Sequence, residues 1–177
     1  PLRARFRGLA DNIGQLAWMM DPDGHITCYN QSWFDYTGLT FEEMRAPNGR
    51  NVVEPAQRER VMTKFQLAIK GGENWEDTFP LLGRDGAYRW FLSRAFPIRG
   101  EDGRIVRWFG TNTDITEQRL DEEQLRAHAQ RAEVLSQVAT ELFLADTPRS
   151  VLETILRARA QLAEAIDCPL HVGITEA

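Results

Sequence analysis

The sequence predicts an α+β fold: one antiparallel sheet of five strands, helices on one side of it, and a long C-terminal helical extension. Three observations lead to this fold class. Segments of alternating apolar and polar residues, typical of strands, occur first as a pair and later as a run of three. Segments with helical spacing lie between the two groups. The last strand, 104–113, leads almost directly into residues 117–144, which contain neither Gly nor Pro.

An amphipathic helix and a β-hairpin are predicted at the start of the chain. Apolar residues recur at helical spacing within residues 1–14. A short apolar strand follows at 16–20, and a second is predicted at 25–29. The segment Asp21–Gly24 between them has Pro and Gly where β-turns favour these residues, so the two strands should form a hairpin.

Three helices are predicted after the hairpin. Asn30 is expected to cap the first of them, which Gly38 ends. The segment Thr40–Glu43 is a capping box that opens the second. Pro55 suits the first turn of the third. This third helix has apolar residues along one face, namely Val61, Phe65 and Ile69.

Three strands then form a meander, predicted at 75–81, 87–99 and 104–113 and joined by the glycine-containing turns 83–86 and 100–103. Because side chains alternate along a strand, every second residue should face the core. Counting from Asn112, this places Val106 on the inner face and Ile105 on the outer face, together with Trp90, Leu92, Phe96 and Phe109. So much apolar outer surface needs a cover, which the first helix or a second copy of the chain could provide.

Composition excludes several classes of protein. The 177 residues suffice for one domain plus further helix, and a hydrophobic content of 42% predicts a packed core. The net charge is −5 and there is no basic cluster, so a nucleic-acid partner is not expected. The longest apolar runs have only about four residues, so no membrane-spanning segment is predicted. Because the chain begins with Pro rather than Met, we expect it to be a piece of a longer protein.

The few cysteine and histidine residues argue against disulfides and metal binding. Cys28 and Cys168 lie far apart in the sequence, which favours a reduced, cytoplasmic environment. The three histidines, His25, His128 and His171, are not expected to combine with a cysteine or carboxylate at a ligand spacing. The sequence also lacks a glycine-rich phosphate loop, a nucleophile elbow and a plausible triad, so the fragment is predicted to be non-catalytic.

Four motifs in order resemble those of PAS domains: Trp18–Gly24, Asn30–Gly38, Arg84–Trp90 and the closing Asp114–Thr116. On this resemblance, residues 15–116 are identified as a PAS sensor domain with its C-terminal PAC motif, from a bacterial-type signalling protein. The resemblance implies a cupped sheet around a small internal pocket and formation of a homodimer. It also implies a covalently linked output domain, for which a histidine kinase is the expected example.

The flavin-binding branch of this family carries residues that the chain lacks. There, a cysteine follows Gly-Arg-Asn and attacks the flavin, whereas Val52 stands at that position here. The two asparagines that bind the flavin ring correspond to Leu81 and Phe91, and a flavin-contacting glutamine corresponds to Asn112. Haem-binding relatives have a histidine on the third helix, and residues 56–70 contain none. We therefore expect no cofactor, although an unknown small molecule is possible. A non-covalent flavin or haem sensor is the alternative.

The resemblance and the strand alternation together name the pocket walls. The small residues Ala95 and Gly110 are expected to leave room near the middle of the sheet. Trp18 and Met20 are expected to close one end of the pocket. If side chains fill this space instead, Asn112 should bond to backbone or to a buried water. The candidate ligand contacts are Trp18, Met20, Phe79, Leu81, Phe91, Ser93, Trp108 and Asn112.

The C-terminal part predicts signal transmission and pairing of helices. Asp114, Ile115 and Thr116 join the last strand to the long helix, so a strand displacement should reach the helix. Residues 117–146 carry a 3-4-3-4-3 pattern typical of a coiled-coil seam, and a single surface helix is the alternative. Residues 147–177 resemble the first helix and strand of a GAF domain. The seam residues are Leu125, His128, Ala132, Leu135, Ala139 and Leu142.

Overall fold

The computed structural model describes residues 10–11, 13–45, 52–144 and 147–166. Within these ranges the fold class predicted from the sequence is confirmed. The predicted helix over residues 1–14 falls mostly outside the described residues. The strand expected after the helix in residues 147–177 lies wholly outside them. The chain forms two compact units, divided between Thr116 and Glu117. In chain order the elements are β1 Leu16–Met20, β2 Ile26–Tyr29, α1 Gln31–Thr37, α2 Phe41–Arg45, α3 Pro55–Gly71, β3 Trp75–Leu82, β4 Tyr88–Arg99, β5 Ile105–Asp114, α4 Thr116–Phe143 and α5 Pro148–Ile166.

The first unit is built on a five-stranded sheet with the order β2-β1-β5-β4-β3, in which all neighbours are antiparallel. The first strand therefore lies beside the last, in the middle of the sheet. The side chains of α1 and α3 contribute to the core on its inner face, where Trp33 and Val61 are buried. The predicted hairpin and the predicted three-stranded meander therefore join in one sheet, because β1 is paired along its whole length with β5.

The turn between β1 and β2 is held by its first aspartate. Asp21 accepts hydrogen bonds from the backbone N–H groups of Asp23 and His25, at 3.1 and 2.9 Å. The bond from the backbone N–H of His25 holds the pKa of Asp21 below its usual range. Gly24 adopts a φ of 91°, a conformation that glycine reaches without steric cost. These contacts explain why the hairpin forms where the sequence predicts it.

Asn30 precedes α1 as predicted, but its side chain makes no capping bond to that helix, so the predicted role is wrong. The side chain is fully buried and connects three segments instead. Its Oδ1 accepts from the N–H of Ala17 at 2.9 Å, and its Nδ2 donates to the carbonyl oxygens of Ala10 and Gln15, both at 2.9 Å. Asp11 supplies the cap, because its carboxylate accepts from the N–H of Gln31 at 2.7 Å.

The predicted capping box of α2 is confirmed. The N–H of Thr40 donates to a carboxylate oxygen of Glu43 at 2.8 Å, and the N–H of Glu43 donates to the hydroxyl of Thr40 at 3.2 Å. Helix α3 begins at Pro55, as expected, and ends before Gly72, whose φ of 65° closes the helix in the left-handed conformation. Two bonds from the following backbone satisfy its last turn.

A bulge in β5 overturns part of the predicted alternation. The pairing of β4 with β5 shifts by one residue between Ile98 and Arg99, which leaves Val106 as the extra residue. Below the bulge the inward and outward positions are exchanged. Val106, predicted to face inward, is 44% exposed, whereas Ile105, predicted to face outward, packs against the core. The alternation beyond the bulge, from Trp108 to Asn112, follows the prediction.

The second unit contains the helices α4 and α5. Helix α4 has 28 residues and α5 has 19, and an ion pair of 3.3 Å joins Arg157 to Glu141. One face of α5 is covered, because Thr154 and Ala158 are each only 7% exposed. Across the described residues, none of the helices has the length and apolar character required to cross a lipid bilayer.

Candidate functional site

The eight predicted pocket residues all lie in the interior of the first unit. Each is at most 5% exposed, and Trp108 is fully buried. They come from four strands, which the antiparallel pairing brings together on the inner face of the sheet. Helix α3 contributes to the same core through Val61 and Phe65. The strand alternation thus identified an interior cluster, while contact of these residues with a ligand stays a prediction.

The centre of the inner face is filled by the indole of Trp18. The residues Trp75, Ala95, Gly110 and Trp18 follow one another across β3, β4, β5 and β1. A methyl group at Gly110 would lie within 2.6 Å of three carbons of the Trp18 indole, so that ring lies directly over the glycine. The predicted open middle above Gly110 is therefore absent, and the predicted alternative, in which side chains fill this space, is what the structure has there. Trp18 occupies that space rather than closing one end of the pocket.

Asn112 holds the Trp18 ring in this position. Its Oδ1 accepts a hydrogen bond of 2.9 Å from Nε1 of Trp18, and both side chains are buried. The expected partner, backbone or a buried water, is thus replaced by a side chain from the neighbouring strand. Phe65 of α3 packs against the same indole in an edge-to-face arrangement, with ring centroids 6.0 Å apart. Strand β5 and helix α3 therefore both contact this indole of β1.

A row of polar side chains crosses the inner face next to the tryptophan row. Asp77 pairs with Ser93, and Ser93 pairs with Asn112, so the three lie on adjacent strands. Directly opposite side chains in a sheet have Cβ atoms about 4.5–5.5 Å apart. Asp77 is 8% exposed, and Ser93 and Asn112 are each 2% exposed. This is an unusual concentration of buried polar groups within an aromatic core.

The charge of Asp77 is balanced by helix α3, a feature that the sequence analysis missed. Nη1 of Arg60 donates to both carboxylate oxygens, at 3.0 and 2.7 Å, and Nζ of Lys64 lies 3.4 Å from one of them. The same cations bond to β3 backbone oxygens, Arg60 to Thr78 at 3.1 Å and Lys64 to Glu76 at 2.8 Å. The sequence does contain features that could have predicted this contact. Asp77 stands at an inward strand position, and Arg60 and Lys64 lie four residues apart on one face of α3.

Three further indoles in this core have an unpaired donor. Within the residues that the structure describes, Nε1 of Trp33, Trp75 and Trp108 is buried and has no hydrogen-bond acceptor. Trp75 contacts Phe65 and Phe79, with centroids 4.9 and 6.0 Å away. Buried polar groups are normally paired, so these donors mark a place where an acceptor would be stabilising.

Tyr36 joins α1 to the other end of the core. Its hydroxyl donates to the carbonyl oxygen of Leu81 at 2.7 Å, and its ring packs edge-to-face on Phe91, with centroids 5.0 Å apart. Burial raises the pKa of Tyr36 to about 12. The positions that correspond to the flavin-binding asparagines are therefore apolar and enclosed: Leu81 is 1% and Phe91 is 2% exposed.

The junction between β5 and α4 is tied to β4. The N–H of Ile115 donates to the carbonyl oxygen of Trp90 at 2.8 Å, and the N–H of Trp90 donates to the hydroxyl of Thr116 at 2.9 Å. Asp114 accepts from the N–H of Thr116 at 2.9 Å, which satisfies a free donor at the start of α4. The backbone N–H and C=O of Trp90 thus hold Thr116, the first residue of α4, and Ile115, the residue before it.

Five of the six predicted seam residues of α4 are exposed to solvent. Leu125 is 69% and Leu135 is 56% exposed, and His128, Ala132 and Ala139 are also exposed. Leu142 is half-buried. In a single chain these positions are therefore available for contact with another helix.

One expectation about the histidines is wrong. The ligand atoms of Asp21, Asp23 and His25 lie within 4.8 Å of one another, although no such combination was predicted. Asp23 and His25 are exposed, and the carboxylate of Asp21 already accepts two backbone hydrogen bonds in the turn. The turn geometry is sufficient to explain this cluster.

Comparison with known proteins agrees with this architecture. Residues 26–112 match the profile of the PAS fold, a span that includes most of the sheet and the whole of α1, α2 and α3. The chain contains a PAS-fold domain. The curated relatives of this PAS domain include an uncharacterized protein, y4lL, of Sinorhizobium fredii, which is 31% identical over 68% of the chain. A blue-light-activated histidine kinase of Rhizobium johnstonii is 28% identical over 55% of the chain.

Those relatives are much longer than the chain, which spans 14% of the first and 28% of the second. Among solved structures, the LOV protein of Rhodobacter sphaeroides aligns over 90% of this chain and 92% of its own length, with a TM-score of 0.54 and 14% identity. At that identity the likeness concerns the fold alone. The PAS fold is a sensory fold and is generally non-catalytic, and relatives of this domain are parts of sensor kinases.

Proposed function

We propose that the PAS domain of this chain is a sensory module that transmits a conformational signal from its core, through the β5–α4 junction, to a covalently linked output domain. The observation that carries this proposal is the pair of hydrogen bonds between the backbone of Trp90 and the residues Ile115 and Thr116. Trp90 immediately precedes Phe91 on β4, and Ser93 follows on the same strand. A displacement of these buried side chains therefore moves the residue that holds the start of α4.

The coupling is tested by Thr116→Val, which keeps the shape of the side chain and removes the hydroxyl oxygen. The N–H of Trp90 loses its acceptor, so we expect faster amide hydrogen exchange at Trp90 and in the first turn of α4. Thr113→Val is the matched control, because it makes the same substitution on β5 and keeps the Thr116 hydroxyl that accepts from the N–H of Trp90. Equal exchange in the two variants would show that the hydroxyl bond does not couple β4 to the helix.

The module is proposed to act as a homodimer whose α4 helices pair along the seam. The exposed Leu125 and Leu135 support this, since a leucine buried in such a seam contributes roughly 1.5–3 kcal/mol. Leu135→Glu, which places two like charges opposite each other, should weaken the dimer in sedimentation while the circular dichroism of the sheet is retained. Gln137→Glu introduces the same charge at a neighbouring exposed position and should leave the dimer intact. An undiminished Leu135→Glu dimer would assign the interface to another surface.

We propose further that the domain functions without a flavin or haem. The apolar Leu81 and Phe91, the half-buried Val52 and the Trp18 ring over Gly110 support this. Purified protein should accordingly lack visible absorbance. A stoichiometric flavin or haem spectrum would instead establish the alternative, a light or redox sensor.

The proposed kind of output domain is based on the proteins that are similar to this domain. A histidine kinase as the linked output domain is proposed because a histidine kinase is among the proteins similar to this domain. We also propose that Asp114–Thr116 is the closing PAC motif and that residues 147–177 are the start of a GAF domain. The proposed location of the protein is the cytoplasm. Expression of the longer parent protein and measurement of its autophosphorylation with ATP would test the kinase assignment.

A further inference from the structure

We infer that helix α1 is a second route of input to the β5–α4 junction, driven by the segment that enters β1. This entry segment comprises residues 10–11 and 13–15. Its docking orders the first turn of α1, and the last turn of α1 contacts the part of β4 that holds the junction. The inference deepens the proposed sensory function and rests on it. A displacement of the chain ahead of β1 then reaches α4 without a change in what occupies the interior.

The start of α1 depends on the entry segment for its hydrogen bonds. Asn30 stands at the N-cap position, but its side chain makes no capping bond. Its Nδ2 donates instead to the carbonyl oxygens of Ala10 and Gln15, both at 2.9 Å. The cap comes from Asp11, whose carboxylate accepts from the N–H of Gln31 at 2.7 Å, 20 residues further along the chain. Departure of the entry segment therefore removes the cap of α1 and leaves the buried Asn30 amide without two acceptors.

Helix α1 is too short to keep one end ordered when the other is lost. It has seven residues and no acidic residue of its own in the first turn. Seven residues form about two helical turns, and isolated helices shorter than about 12–15 residues are marginal in water. The first N–H groups of any helix also lack partners within the helix. Loss of the cap should therefore loosen the whole of α1, and an ordered α1 should in turn favour docking of the entry segment.

The last turn of α1 contacts both neighbours of the residue that holds the junction. The ring of Tyr36 packs edge-to-face on Phe91, with centroids 5.0 Å apart, and the guanidinium of Arg89 lies 5.7 Å from the centroid of the same ring. The Tyr36 hydroxyl also donates to the carbonyl oxygen of Leu81 at 2.7 Å. Trp90, which stands between Arg89 and Phe91, bonds to the start of α4 through its backbone N–H and C=O. Movement of this one aromatic side chain should therefore reach the junction.

The test is amide hydrogen exchange in Asp11→Ala. Asp11 is exposed, so the variant should fold. We expect exchange in α1 to become about fivefold faster, the factor that corresponds to loss of a helix cap. The junction amides of Trp90 and Ile115 should also exchange faster than in the wild type, by a smaller factor.

Asp102→Ala is the matched control. Asp102 is an exposed aspartate that also accepts a backbone N–H, from Arg104 at 3.1 Å. It lies in the turn between β4 and β5, at the opposite end of this strand pair from the junction. The control variant should leave exchange in α1 and at Ile115 unchanged.

Substitution of Tyr36 separates a route through α1 from the direct pairing of β1 with β5. In Tyr36→Leu the contacts with Phe91 and Leu81 are lost. Addition of Asp11→Ala should then still speed exchange in α1 but no longer at Ile115. Tyr36→Phe, which removes only the hydroxyl, should reduce the effect at Ile115 in part, and it serves if Tyr36→Leu does not fold.

Two results would overturn the proposal. One is equal exchange at Ile115 in Asp11→Ala and Asp102→Ala. The other is an effect of Asp11→Ala that persists undiminished in the Tyr36 variants, which would assign the coupling to the pairing of β1 with β5. The Thr116→Val experiment tests the junction itself and leaves the bond from the N–H of Ile115 to Trp90 in place. Failure of the α1 route and failure of the junction therefore give different results.

Discussion

Replacement of Asn30 by alanine should be among the most destabilising single changes in the PAS domain. Its side chain is fully buried and makes three hydrogen bonds of 2.9 Å, to Ala10, Gln15 and Ala17. Each bond contributes about 1 kcal/mol net, and a buried group left without its partner adds about 1–3 kcal/mol. The N–H of Ala17 would be such a group, because Ala17 is 0% exposed. We therefore expect a loss of about 4–6 kcal/mol in the free energy of unfolding.

The assay is urea unfolding followed by tryptophan fluorescence, in which the midpoint should fall while the slope stays constant. Asn74→Ala, the same substitution at an exposed position, should change the stability by no more than about 0.5 kcal/mol. Asn30→Asp keeps the acceptor oxygen but turns both donations into repulsion between oxygens, so it should destabilise at least as strongly as alanine. A loss below about 1 kcal/mol for Asn30→Ala would refute the hydrogen-bond reasoning.

Three other predictions concern ionisation, charge and capping. Burial raises the pKa values of Tyr29 and Tyr36 to about 12. The unfolded chain loses these protons at lower pH than the folded chain, so the free energy of unfolding should fall between about pH 10 and 12. In Tyr29→Phe the urea midpoint should fall less steeply over this range. Arg60→Ala should lower the free energy of unfolding by about 1–2 kcal/mol, measured by thermal unfolding. The loss is limited because Lys64 still balances the charge of Asp77 and because the Arg60 guanidinium is half exposed. Thr40→Ala should cost about 1 kcal/mol, measured in the same way, and a neutral result would mean that α2 does not need its capping box.

The sequence was sufficient for the elements whose signals are local. Turn residues, capping residues and helical spacing depend on a few neighbours in the chain, and the capping box at Thr40 is where they predicted it. The bulge at Val106 has no such local signal, since it is defined by the residues that β4 places opposite β5. One extra residue then reversed the predicted sides of Val106 and Ile105.

The interior was predictable in composition but not in arrangement. Alternation places Trp18 and Asn112 on one face, but it does not tell how far a long side chain reaches across the next strand. The position of the indole depends on the absence of a side chain at Gly110, 92 residues later in the chain. Asn30 was missed for a similar reason, because its partners lie in segments that only the folded sheet brings next to it.

The free edge of β3 bears on aggregation and on the ways in which copies of this chain can associate. An unpaired strand edge offers N–H and C=O groups to other chains, and proteins commonly block it with charged side chains. Here Lys64 and Arg60 occupy the carbonyl oxygens of Glu76 and Thr78. Backbone bonds from segment 52–54 occupy the next positions, at Pro80 and Leu82. Growth of the sheet by addition of a foreign strand at this edge is therefore blocked.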